Sequence, residues 1–177
     1  RQLTVSKTVT YLHIRAISAR ATRGVLTFGS LVVPCALGRS GRLVLKREGD
    51  GGTPVGFWLL RRIYYRGDRL IRPLSKIPAS PIKGGWGWCE TVGDGNYNRR
   101  VDLPYPAAHE DLKRPDHLYD IVVETSHNQR PRIQGRGSAI FFHLARENFA
   151  PTAGCIAVTL KDMQKVLRHC SARTRLV

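Results

Sequence analysis

The chain has 177 residues, 42% of them hydrophobic, enough for one well-buried core and too few for two domains of ordinary size; a single domain over residues 1–177 is expected. No apolar run approaches the roughly 18 residues that a membrane-spanning helix needs, which excludes a helical transmembrane segment. Lys and Arg number 29 against 13 Asp and Glu, a formal +16, and such a surface attracts polyanions, whether nucleic acid, acidic lipid or another acidic polymer.

Residues 3–14 alternate around Val5, Val9 and Tyr11 and are rich in β-branched side chains, predicting an opening strand. Residues 24–28 and 31–35 are short apolar runs separated by Gly29-Ser30, a hairpin signal. A Gly-rich turn over residues 49–52 follows Leu43-Val44-Leu45-Lys46. It leads into Thr53-Pro54 and a strand, not into the Lys-Ser/Thr and helix of a phosphate-binding loop. Residues 57–65 predict a long strand closed by an ordinary turn at Arg66-Gly67-Asp68.

From Pro73 to Asp116 prolines punctuate the chain, and a long lid-like loop region over about 73–117 is expected. Trp86 and the run Asn96-Tyr97-Asn98-Arg99-Arg100 can line a substrate groove, with rings for glycan faces and arginines for carboxylates. The alternative is an excursion whose tryptophans fill a small core of their own. His109-Glu110-Asp111-Leu112 reads as one helical turn, and residues 118–124 as a strand. His127-Asn128 ends that strand, and if the strand bearing His143 is its neighbour, His127 can reach the same cleft.

Ala139-Ile140-Phe141-Phe142-His143 reads as a buried strand delivering an imidazole to its end. Pro151-Thr152-Ala153-Gly154-Cys155 then places a thiol on a turn of small residues. A thiol becomes a strong nucleophile once a base takes its proton, and imidazole titrates near neutrality. Cys155 is thus the candidate nucleophile and His143 the candidate base, with the backbone N–H groups of Gly154 and Cys155 as an oxyanion hole. A cysteine and a histidine can equally be buried core residues. Thr159 caps a closing helix that buries Leu160, Met163, Val166 and Leu167. Cys35, Cys89, Cys155 and Cys170 contain no Cys-x-x-Cys pair, so no metal is expected; a disulfide among the three other than Cys155 is open in an exported protein.

The His143 strand, Thr152-Ala153-Gly154-Cys155 and the upstream Lys46-Arg47-Glu48-Gly49-Asp50-Gly51-Gly52-Thr53-Pro54-Val55-Gly56-Phe57 resemble the L,D-transpeptidase (YkuD-like) catalytic domain of bacterial cell-wall enzymes. The motifs stand in the family's order, and the resemblance runs from about Leu31 to the last helix. Many members carry Ser/Thr-His-Gly-Cys followed by an apolar residue and Arg; here Ala153 replaces that His and Ala157 that Arg. His143 is followed by Leu144-Ala145 in place of Gly-Thr, and it lies closer to the cysteine than is usual. The pattern is that of a divergent Thr-x-Gly-Cys-Ile-Ala branch.

The resemblance implies a mainly β fold, a barrel or sandwich with a few short helices. It implies a cysteine acyltransferase that cross-links peptidoglycan stem peptides, with hydrolysis of the same bond or non-catalytic wall binding as alternatives. It further implies no cofactor, no nucleic-acid partner, covalent inhibition by carbapenems, a monomer, and a periplasmic or cell-envelope location. The first residue is Arg1 and not Met, so a segment upstream of it is expected in the full protein. Substrate-binding candidates are His127, Asn128, Tyr119, Trp86, Tyr97, Arg99 and Thr152.

Overall fold

Short runs of alternating apolar and polar residues give a chain of short strands. The computed structural model describes residues 7–177. Its strands are β1 (Tyr11–Ala16), β2 (Arg23–Phe28), β3 (Leu31–Ala36), β4 (Arg42–Leu43), β5 (Thr53–Pro54), β6 (Trp58–Tyr65) and β7 (Ala79–Pro81). There follow β8 (Trp86–Cys89), β9 (Arg100–Asp102), β10 (His109–Asp111), β11 (Ile121–Thr125), β12 (Phe141–Leu144) and β13 (Ile156–Val158). A 3₁₀ turn at Glu147–Phe149 precedes β13, and helix α1 (Leu160–Leu167) and β14 (Arg175–Leu176) close the chain. The opening strand begins at Tyr11, and the part of it expected at residues 3–6 lies outside the described residues.

The main sheet runs β11-β12-β13-β3-β2-β1-β14-β6, and β6 pairs again with β11, so it closes into a barrel. The length of β6 makes this closure work. One of its edges takes β14 at Trp58 and Leu59 and β7 at Ile63–Tyr65, while the other takes β11. Closure removes the free edges that would otherwise template aggregation. The expected hairpin is the β2–β3 pair, turned at Gly29 with φ +53°.

Period-two alternation sorts side chains between two cores. Phe142, Leu144, Ile156 and Val158 point into the barrel with Leu12, Leu26, Leu60, Ile63 and Val123. Their neighbours Phe141 and Cys155 fall on the outer face with Tyr64, Val122 and Tyr119. Helix α1 stops one end of the barrel with Met163, Val166 and Leu167, all buried, and its Thr159 cap accepts from the Asp162 N–H at 3.2 Å. Leu160, expected on the same face, is instead half exposed at the first turn.

The outer face is covered by a second sheet of three strands, ordered β10-β8-β9. The stretch expected as an extended loop therefore carries regular structure. His109-Glu110-Asp111 is a strand, not a helical turn, and pairs with β8 in the register His109↔Cys89, Glu110↔Trp88 and Asp111↔Gly87. Three-residue strands between prolines leave no periodicity to detect, and pairing to β8 supplies the hydrogen bonds that a lone helical turn lacks. Trp88 is buried and stands edge-on to Phe141, with ring centroids 5.1 Å apart, as the main contact between the two sheets.

β4 and β5 pair in parallel, in the register Arg42↔Thr53 and Leu43↔Pro54, and the glycine-rich turn loops out between them. Asp50 organises this loop. It pairs with Lys46 and accepts from the N–H groups of Arg47 and Gly52, which hold its carboxyl below the ordinary carboxylate range against the cost of burial.

Candidate active site

β12 and β13 are parallel neighbours, in the register Phe142↔Ile156 and His143↔Ala157. Extending that register places Cys155 beside Phe141, so His143 and Cys155 share the outer face one diagonal step apart, a spacing on the order of 7 Å in a sheet. Both line a cavity of about 80 Å³ together with Tyr119, Glu110 and Leu118. Its remaining wall is Thr152, Ala153, Arg114 and Arg146. A space this small admits the reacting groups of a substrate and leaves the rest on the surface. A larger concavity of about 620 Å³, lined by His13, Arg15, Ser18, Arg42 and Val177 among others, holds no cysteine.

Cys155 is 8% exposed. Its thiol donates to Ala139 O at 3.2 Å and accepts from the Phe141 N–H at 3.3 Å. Burial and then the negative Glu110 push its pKa up to about 12, against smaller opposite effects of the Phe141 N–H and the Lys46 ammonium. At rest Cys155 is a neutral thiol. Helix α1 begins five residues later and does not offset the burial.

His143 is 6% exposed and lies edge-on to the Tyr119 ring at 5.2 Å. Its Nδ1 is 2.9 Å from Leu144 O; a carbonyl only accepts, so Nδ1 carries the proton and Nε2 the lone pair. Burial lowers its pKa to about 4, so the ring is neutral and able to accept a proton throughout the neutral range.

The turn before Cys155 depends on Thr152 and Gly154. The Thr152 hydroxyl donates to Cys155 O at 2.6 Å and its oxygen accepts from the Gly154 N–H at 3.1 Å. That leaves Cys155 N–H as the remaining member of the expected oxyanion pair. Gly154 has φ +140°, and a Cβ there would lie 2.8 Å from Gly52 O. The position therefore needs glycine both for its backbone conformation and for the close approach of the 46–54 loop.

The other expected contacts lie away from this cavity. Tyr97 is buried and donates to Glu48 at 2.5 Å, while its oxygen accepts from the Gly137 N–H. Asn128 holds its own loop through Ile133 and Gly137. Trp86 meets Tyr64 edge-on beneath the Arg100 guanidinium, and Arg99 is exposed. His127 packs against Trp58, its Nδ1 buried without a partner, and burial with the nearby Lys46 charge lowers its pKa to about 4. β11 and β12 are indeed neighbours, but antiparallel, in the register Val123↔Phe142. Their ends point in opposite directions, which puts His127 roughly 16 Å along the sheet from His143 at about 3.3 Å per residue.

Three cavity residues, Glu110, Arg114 and Arg146, carried no sequence signal. The only cue available was the apolar spacing of Trp86 and Trp88, which fixes the inward face of β8 and, through its register, that of Glu110. The four cysteines are free thiols, all buried. No group of His, Cys, Asp and Glu able to hold a metal occurs among the described residues.

The chain is thus a closed β-barrel with a thiol and an imidazole lining one cavity on its outer face. The chain belongs to the YkuD family: the family model for the L,D-transpeptidase catalytic domain matches residues 17–177. Comparison with curated proteins and with solved structures returns no match.

Proposed function

We propose that this domain is a peptidoglycan L,D-transpeptidase with Cys155 as nucleophile and His143 as general base. The observation that carries the reading is that both residues line one narrow cavity, with the lone pair of His143 on Nε2 and its other nitrogen held by Leu144 O. The pair starts neutral. As a donor stem peptide enters, His143 Nε2 takes the thiol proton while sulfur attacks the peptide carbonyl.

The Cys155 N–H supports the tetrahedral oxyanion. Collapse breaks the C–N bond, and the leaving D-amino acid takes its proton from the His143 imidazolium. A second stem's amine then attacks the thioester and restores the thiol. Arg146 on the cavity wall supplies a cation for a stem-peptide carboxylate. Such a substrate places the working domain at the cell envelope.

Intact-mass analysis after incubation with a carbapenem tests the proposal. A single covalent adduct is expected in the wild type and none in Cys155→Ala. Absence of an adduct, together with no turnover of purified muropeptides, would leave a wall-binding module as the reading. Muropeptide product analysis separates cross-linking from hydrolysis, which share the thioester and differ in what resolves it.

A further inference from the structure

We propose that Glu110 is the acceptor-recognising residue of this cavity: its carboxylate receives the protonated amine that resolves the thioester and takes one proton from it. The inference rests on the acyl-transfer reading above and specifies its second half.

Position comes first. Glu110 pairs with Trp88 across β10 and β8 and so shares the face of the small sheet that packs on the barrel. Its neighbour Asp111 points the other way, with its side chain 63% exposed. The Tyr119 hydroxyl donates to Glu110 Oε2 at 2.5 Å and holds the carboxylate at the cavity wall. Oε1 has no protein donor among the described residues.

Charge comes next. In a chain of formal +16, this half-buried carboxylate enters no ion pair among the described residues. The nearest cation, Arg114, is bound by two hydrogen bonds to Asp116 and lies over the Tyr119 ring. Burial and the nearby Glu90 and Glu48 carboxylates raise the Glu110 pKa, against the Tyr119 hydrogen bond and Arg114. Glu110 in turn disfavours the Cys155 thiolate, so it works against the first half-reaction. An unpaired carboxylate that penalises the nucleophile makes physical sense where a later ligand brings a positive charge.

The step balances. The incoming ammonium gives one proton to the Glu110 carboxylate, and the freed lone pair attacks the thioester carbonyl to form the C–N bond. As the tetrahedral species collapses, the C–S bond breaks. A second proton passes from nitrogen to His143 Nε2 and on to the departing sulfur. The new amide, a neutral thiol and a neutral imidazole result, and Glu110 releases its proton to solvent.

Glu110→Gln keeps the size of the side chain and an oxygen for the Tyr119 hydroxyl. In this variant, carbapenem adduct formation is expected to be at least as fast as in wild type, because the charge that disfavours the Cys155 thiolate is gone. Partition of a donor-stem thioester between an amine acceptor and water should fall at least 10-fold towards water, and Glu110→Asp should recover part of the loss. An unchanged partition would overturn the proposal, as would an equal fall in adduct formation and aminolysis, or an equal loss in both variants at unchanged melting temperature. If the wild type forms no adduct at Cys155, the acyl-transfer reading itself fails, an outcome distinct from all of these.

Discussion

At the scale of single residues the site is a neutral thiol beside a neutral imidazole, not a preformed ion pair. Alkylation reports this directly, because iodoacetamide reacts with thiolate. With the Cys155 pKa at about 12 and His143 at about 4, the rate at Cys155, followed by intact mass, should still be rising with pH above 9; a plateau near neutrality would reveal an ion pair. Gly154 makes a second residue-scale case. In Gly154→Ala the new Cβ meets Gly52 O at 2.8 Å in a φ of +140°, so a loss of about 2–3 kcal/mol is expected by urea denaturation, together with loss of the carbapenem adduct. Cys155 and His143 were legible because their neighbours in sequence are small or apolar. Glu110 was not, because its burial comes from pairing with Trp88, a partner 22 positions away.

At the scale of elements, strand β12, the β2–β3 hairpin and α1 could be read from periodicity and caps. Strand direction could not: nothing in residues 118–143 states that β11 and β12 run antiparallel, and that fact alone separates His127 from His143. The small sheet was equally hidden, and beside the Trp88–Phe141 contact its docking uses one polar side chain. Buried Asn98, with φ 55°, accepts from Trp88 Nε1 at 3.0 Å and from the Ala139 N–H at 3.2 Å, and donates to the carbonyls of His127 and Asn128. Ala139 O in turn accepts from the Cys155 thiol, so the cover and Cys155 are joined through the backbone of Ala139. Asn98→Ala strands several buried polar groups and puts alanine in a left-handed conformation. A loss of at least about 3 kcal/mol is expected, with slower adduct formation by the folded fraction. A change under about 1 kcal/mol by urea denaturation would mean that Trp88 packing alone holds the sheet.

At the scale of the whole molecule, burial sets an acid limit on stability that net charge does not reveal. His143 and His127 each fold with a pKa near 4 against about 6.5 unfolded. Between those values the unfolded chain binds the protons that the native chain refuses, so each histidine contributes stability that is present above 6.5 and lost as pH falls towards 4. Glu110 and Glu90 act in the opposite sense. Burial raises both, so they favour the native state below the ordinary glutamate range and lose that contribution as pH rises through their folded values. The total curve mixes the two signs, and a difference between variants separates them. Urea denaturation at pH 7, 6 and 5 should show the advantage of wild type over His143→Gln shrinking by about 1.4 kcal/mol per pH unit below 6.5. A constant difference would mean that the imidazole is already solvated in the native state. In that case the cavity would be wet at rest, and the low pKa that keeps His143 ready as a base would have lost its physical cause.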